Sequence, residues 1–394
     1  MGFKVLSGNG AQAEAARLAR VQVIAAYPIT PQTTIVEALA DMVASGELKA
    51  QYVKVESEHS ALQVCLSAAA LGARTYSATS SQGLLLMHEL LHWASGQRTP
   101  MVLGVVNRAV APPWNIGADH ADTMSQRDTG WIQFYPESNQ EVLDTVLTAY
   151  RLVEDPEIRL PAMVTEDAFY LSHTFEPVDV PDPKVVDTFL PPKDARAILR
   201  PGVVSRLGSF TGPDHYVDFR HQVAEAMDRV LPKLQEVESE YARRSGRDLG
   251  GPLVGYRTED ADAVLLTLGT ISTTARGVVD ELRSSGQKVG MAKLRVFRPF
   301  PVEAVRALAR DVSRLGVLDR SFTFGSSGPA ASEVRSALYG VPSPPSVTSF
   351  LAGIGGRDVG PKDLHRVFQA LLSSRSTGPR WMDLETDGGV VVHG

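Results

Sequence analysis

From the N-terminus to residue 173, short apolar runs alternate with amphipathic segments of helical period, the pattern of a parallel sheet covered by helices. The runs QVIAAY, QYVKV, RTYSAT and MVLGVV predict strands, and PAMVTE predicts another. Residues 31–45, 58–72, 82–96 and 138–153 carry the spacing of helices. In Ala26-Tyr27-Pro28-Ile29-Thr30-Pro31-Gln32-Thr33, Thr30 is placed to cap a helix and Pro31 to take its first position. The pattern then changes. A stretch rich in Pro and Asp (FEPVDVPDPKVVDTFLPP) predicts a connector, followed by a charged helical pattern over 216–246 in which Pro232 predicts a kink or two helices. A second alternating region starts near Ala261. There ADAVLLTLG, KVGMAKLRVF and LGVLDRS predict strands, and TTARGVVDELRSSG and VEAVRALARDVSR predict helices. The expected organisation is an α/β domain over 1–173, a connector with helices over 174–255, and a second α/β domain over 256–394.

At 394 residues the chain is too long for one ordinary core, which agrees with that division. Hydrophobic residues at 43% and charged residues at 21% are the proportions of a soluble globular protein. A net charge of −6 gives no reason to expect nucleic acid or an anionic membrane as partner. No apolar run approaches the ~20 residues that span a bilayer. MGFKVLSGNG lacks the apolar core of a signal peptide, so the expected setting is the cytoplasm. Cys65 is the single cysteine. It excludes an internal disulfide and also an iron–sulfur cluster held by this chain alone, since such clusters take about four thiolates. Within ALQVCLSAAALGA it reads as a buried structural thiol.

One string has the form of a zinc site: His88-Glu89-Leu90-Leu91-His92, an HExxH. Its context opposes that reading. Arg98 stands where the extended pattern needs a third His, and no Glu occurs between Glu89 and Glu137. An amphipathic helix with two half-buried histidines is the simpler expectation. Gly8-Asn9-Gly10, Gly269-Thr270 and Gly353-Ile354-Gly355-Gly356 follow apolar runs without completing GxGxxG, and read as turns and helix starts. Gly8 and Gly10 precede AQAEAARLAR and are placed to shape a loop near a ligand. Four further strings fall just after predicted strands: Tyr27 to Thr33, Val55-Glu56-Ser57-Glu58-His59-Ser60, Ala78-Thr79-Ser80-Ser81-Gln82-Gly83 and Val106-Asn107-Arg108-Ala109. Trp114-Asn115-Ile116-Gly117-Ala118-Asp119-His120 follows the last of these. A doubly wound sheet gathers such positions at one rim, so together they describe a site.

In this order, YPITPQT, VESEHSA, ATSSQGLLLMHE, VVNRA, NIGADHADTMSQRDTGWIQ and RLPAMV resemble the N-terminal domain of the alpha subunit of pyruvate:ferredoxin oxidoreductases. RPFP, LDRS and GIGGRD resemble its second domain, so the resemblance covers nearly the whole chain. It implies a doubly wound domain for the pyrimidine half of thiamine diphosphate, then a transketolase-C-like α/β domain. A beta subunit would bind the diphosphate and Mg²⁺, and gamma- or delta-type subunits would carry the iron–sulfur clusters. Ferredoxin and coenzyme A would act through the complex. The absence here of a GDG string followed by Asn-Asn, and of a cysteine set, agrees with that division. Glu58 matches the family glutamate that hydrogen-bonds N1′ of the aminopyrimidine, so that the imino nitrogen can remove the C2 proton. Thr30 and Arg108 match residues that hold the carboxylate of a 2-oxoacid, an office suited to the planar fork of arginine. Tyr27, Pro28, Ile29 and Gln82 match the cofactor-facing strings. YPITPQT holds no Lys or Arg, which favours pyruvate over a dicarboxylic 2-oxoacid. Branched-chain 2-oxoacids, 2-oxoglutarate and oxalate are the alternatives, and an assembly subunit without catalysis is the distant one.

Overall fold

A computed structural model describes residues 2–193, 202, 204, 207–373 and 378–384. The strands up to the connector are β1 (Gly2–Leu6), β2 (Val23–Ala26), β3 (Gln51–Lys54), β4 (Thr75–Thr79), β5 (Val102–Asn107), β6 (Ile132–Phe134), β7 (Ala162–Asp167) and β8 (Glu176–Val180). The remainder are β9 (Leu253–Tyr256), β10 (Ala263–Thr267), β11 (Val289–Leu294), β12 (Val296–Arg298), β13 (Arg314–Asp319), β14 (Ser346–Leu351) and β15 (Arg380–Trp381). They form three sheets. The first has the order β12-β6-β7-β5-β4-β2-β3 and is parallel except for β12. The second has the order β15-β14-β13-β10-β11-β9, with β9 antiparallel at one edge. β1 and β8 pair antiparallel as a separate ribbon.

Helices cover both faces of the first sheet, which is why every residue of β4, β5 and β7 is buried and their sequences run apolar rather than alternating. The helix Gly8–Leu18 is buried along most of its length; its fully buried Ala11, Ala13, Ala15 and Ala16 leave room for close packing in the same core as the helix Asn139–Val153. Among the described residues, no helix is long and apolar enough to cross a membrane.

Several expectations shift in detail. Helix 31–45 begins at Thr33 with Gln32 as its N-cap, so Thr30 does not cap it and Pro31 is not its first residue. The reason is a turn ahead of the helix, in which the Gln32 amide donates to the Ile29 carbonyl at 2.9 Å. Segment 82–96 divides at Met87 into Ser81–Leu86 and His88–Gly96. The connector region contains β8 and the helix Pro183–Phe189. The charged pattern over 216–246 forms two helices, Pro213–Asp228 and Val230–Ser245, with Pro232 in the first turn of the second, where its missing N–H costs nothing. Gly8 and Gly10 lie inside a helix capped by Ser7 rather than in a loop. A Cβ on Gly8 would stand 2.2 Å from Glu166 Oε2, so only glycine fits there.

The run KVGMAKLRVF also divides. Its first part is β11 of the second sheet, and its last residues cross to the first sheet as β12. At the crossing sits a buried charge network. Lys293 donates to Glu137 at 2.7 Å and to Glu141 at 2.9 Å. Arg295, fully buried, lies 2.8 Å from Glu141 and 2.6 Å from Glu238, and donates to the Gly251 carbonyl at 2.7 Å. A second seam joins the sheets near their strand ends. Gly356 N donates to the Ala118 carbonyl at 2.7 Å, and His120 N to the Arg320 carbonyl at 3.0 Å. Gly117 is pressed on Gly355, whose carbonyl would lie 2.4 Å from any Cβ at 117.

Removing one member of such a network leaves its partners charged and buried. Glu141→Ala is expected to cost about 3–5 kcal/mol. The expected readout is a lowered urea midpoint with an unchanged m-value.

Candidate active site at the strand ends

β2, β3, β4 and β5 all end at one rim, and the segments leaving them converge there. Glu58 opens the helix Glu58–Ala70. Ser57 caps that helix by accepting from Ser60 N, and an acidic first residue is favoured by the helix dipole. The Glu58 side chain is nevertheless drawn inward, at 6% exposure. Among the described residues, none donates a hydrogen bond to its carboxylate. Gly83 stands over it: a Cβ there would be 2.5 Å from Glu58 Oε1 and 2.5 Å from Thr79 Oγ1. Glu56, two residues earlier, points to solvent and accepts from the Ser60 hydroxyl.

Arg108 follows β5 and is 5% exposed. Nη1 donates to the Thr30 carbonyl at 2.6 Å and Nη2 to Gln82 Oε1 at 3.0 Å, and Nε is buried without a partner among the described residues. Burial pushes its pKa down, opposed by the charge of Asp122. Thr30 therefore meets Arg108 through its backbone, while its side chain is exposed. Tyr27 and Pro28 are exposed beside it and Ile29 is half-buried. Two side chains fix this loop from behind. Gln32 Nε2 donates to the Tyr27 carbonyl at 2.8 Å; Asn9 Nδ2 donates to the Pro31 carbonyl at 2.8 Å and to Thr34 Oγ1 at 2.6 Å. The ligand-loop role expected of Gly8 and Gly10 thus falls to the residue between them.

The residue that sequence reasoning missed is Asp122. It is fully buried and accepts from Ser81 N at 3.0 Å, Arg108 N at 3.0 Å, Asn107 Nδ2 at 2.7 Å and Thr123 N at 2.8 Å. Desolvation pushes its carboxyl up to about 6 in spite of these four donors. Its signal was its place in NIGADHADTM just past a strand end, but nothing in the string separates it from Asp119. Asp167 behaves oppositely. Burial would raise its pKa, yet Arg320 and His120 hold it well below the usual carboxylate range. It accepts from His120 Nε2 at 2.7 Å and from Thr270 N at 3.0 Å, which ties Gly269-Thr270 and LDRS to the rim.

His88 is exposed and His92 half-buried, with ring centroids 5.0 Å apart. His88 Nδ1 is 2.5 Å from Gln126 Oε1, and burial lowers the pKa of His92. Among the described residues, no group of three or more His, Cys, Asp or Glu is placed to hold a metal. Cys65 is buried, and desolvation pushes its thiol up to about 12, so it is inert.

Comparison with known proteins places this geometry. Residues 14–239 match the family described as pyruvate flavodoxin/ferredoxin oxidoreductase, thiamine diphosphate-binding, and residues 261–364 match pyruvate:ferredoxin oxidoreductase core domain II. The ketoisovalerate oxidoreductase subunit VorA of Pyrococcus horikoshii is 45% identical over 97% of this chain and 97% of its own length. The pyruvate synthase subunit PorA is 45% identical in Methanothermobacter thermautotrophicus, covering 93% of this chain and 94% of that one. In Pyrococcus furiosus it is 47% identical over 90% of each. Among solved structures, the 2-oxoglutarate:ferredoxin oxidoreductase of Magnetococcus marinus aligns with a TM-score of 0.72 at 17% identity, over 94% of this chain and 65% of that one. The inactive beta4 tetramer of a split gene transketolase aligns at 0.52 and 12%, over 95% of this chain and 100% of that one. These two likenesses concern the fold. Matched across both of its domains, the chain belongs to the pyruvate flavodoxin/ferredoxin oxidoreductase family, as an oxidoreductase subunit with the family's thiamine diphosphate-binding domain and its core domain II.

Proposed function

We propose that this chain holds the pyrimidine half of thiamine diphosphate in a complex that converts pyruvate, coenzyme A and oxidised ferredoxin to acetyl-CoA, CO₂ and reduced ferredoxin, reversibly. The observation that carries the proposal is Glu58: a buried carboxylate with no donor from the described residues, under a glycine that leaves the space above it open. N1′ of a bound aminopyrimidine would face this carboxylate and, when protonated, would donate to it. Thr79 Oγ1 and Gln82 Nε2, both buried without partners among the described residues, would offer further hydrogen bonds. Thiamine diphosphate, when bound, supplies the means of breaking the bond between a carbonyl carbon and a carboxylate. Glu58 holds the proton at N1′. Arg108 and Thr30 receive the substrate carboxylate, and Tyr27, Pro28, Ile29 and Gln82 face the cofactor. One cysteine cannot hold an iron–sulfur cluster, so the electrons leave through clusters on other subunits. Mg²⁺ and the diphosphate fall to a beta-type subunit.

A second substrate has support of its own. Relatives named for ketoisovalerate and for pyruvate are about equally similar to this chain, at 45–47% and 44–47% identity. Both acids have apolar side chains, and the loop from Tyr27 to Gln32 offers no cation for a second carboxylate. The deciding experiment is dye reduction by the purified complex with each 2-oxoacid in the presence of coenzyme A.

Three outcomes are expected. The chain alone should be colourless and should not bind thiamine diphosphate tightly; tight calorimetric binding without partners would contradict the division of labour. Glu58→Gln should assemble but lose about 10²–10⁴-fold in turnover, and the cofactor's C2–H exchange in deuterated water should slow with it. Arg108→Leu should lower kcat/KM for the 2-oxoacid by about ten- to several hundred-fold, chiefly through KM, because charge-assisted hydrogen bonds contribute roughly 1.5–3 kcal/mol each. C2–H exchange should survive in that variant, and Arg108→Lys should recover only part of the loss.

A further inference from the structure

Gln82 and Arg108 leave different strands, yet a single carboxylate oxygen holds both of their backbones. Oδ2 of Asp122 accepts from Arg108 N at 3.0 Å and from Ser81 N, the residue before Gln82, at 3.0 Å. Oδ1 is pinned in turn by Asn107 Nδ2 at 2.7 Å and Thr123 N at 2.8 Å. Thr123 is itself fixed, its hydroxyl accepting from Asn107 Nδ2 and from Tyr135 Oη at 2.7 and 2.8 Å. Ser81 has a φ of +48°, a left-handed conformation that a non-glycine residue keeps only when its surroundings impose it. Its hydroxyl, with one proton to give, lies 2.5 Å from both the Ala109 carbonyl and Gln82 Oε1, so the same turn also meets the Gln82 amide. That amide oxygen then receives Arg108 Nη2. The circuit closes: carboxylate to two amides, and from those two residues' neighbourhood back to one side-chain contact.

We propose that Asp122 is a positioning residue that sets the Arg108 fork, braced by Gln82 Oε1, against the substrate carboxylate. This rests on the reading of Arg108 given above. Asp122 touches neither substrate nor cofactor. It acts by fixing where the Arg108 fork and the Gln82 amide stand, and a displacement near 1 Å at such a position can cost about 10²-fold. Asp122→Asn preserves shape but turns an NH₂ group toward donors on one side of the carboxylate, so one pair of hydrogen bonds becomes a donor–donor conflict.

The test is a double-mutant cycle in the assembled complex: Asp122→Asn, Arg108→Leu and the two together. Asp122→Asn should lower kcat/KM for the 2-oxoacid about tenfold or more, chiefly through KM. In the Arg108→Leu background it should add less than about twofold, because both changes remove the same positioned fork. A residue that merely supports the fold would give independent, additive losses; that result overturns the proposal, as does an unchanged KM. If Arg108→Leu alone leaves KM unchanged, the carboxylate reading fails and this inference with it, a pattern distinct from additivity. Should Asp122→Asn fail to assemble, Asn107→Ala takes its place. It removes one donor to Oδ1 and leaves the carboxylate, and should give a smaller KM effect that is again absent beside Arg108→Leu; additivity there is equally decisive against the proposal.

Discussion

Glu137, Glu141 and Glu238 lie out of water against Lys293 and Arg295, and such charges are tolerable only while all of them remain together. The network therefore ties the helix Asn139–Val153 of the first sheet and the helix Val230–Ser245 to the strand pair β11–β12. β11 and β12 belong to different sheets but are separated by Arg295 alone. Any motion that parts the sheets also strands a cation without its anion. The two α/β units behave as one body at this seam for that reason.

The rim depends on that fixed relation. The segment from Gly117 to His120 leads into the short helix Ala121–Met124. Gly355, Gly356 and Arg320, which follow strands of the second sheet, hydrogen-bond it, and the glycine contact at 117 leaves no space for adjustment. Asp122 lies in that helix. Arg108 and Gln82 are thus held at one remove by the second domain, although both belong to the first.

The buried carboxylates are satisfied to different degrees. At the seam they meet cations directly. Arg320 and His120 hold Asp167 well below the usual carboxylate range. Asp122 is met by dipolar donors, and burial carries it up to about 6. Glu58 has no donor among the described residues, and neither oxygen of Glu166, enclosed beside Gly8, has one there either.

How much of this was legible in the chain follows from range. Val102–Asn107 and Asn139–Val153 were plain because apolar period is a local property. Glu58 was legible as the first residue of a helix after a strand, and Arg108 as the residue just past another, because strand ends in a parallel sheet share one rim whatever the loops do. Three matters lay beyond local pattern. The three-residue β6 carries too short a run to register. The division of KVGMAKLRVF between two sheets depends on where Glu141 and Glu238 lie, more than 50 residues away in sequence. Thr30 presents its carbonyl rather than a capping hydroxyl because the Ile29–Gln32 turn is held by Asn9 and Gln32 from behind. Sequence alone determined most of the helices and strands and which side chains follow the ends of β2 to β5, because apolar period is local. Tertiary structure decided which of those side chains are buried without a partner, because satisfaction of a polar group depends on neighbours that only folding brings within 3 Å.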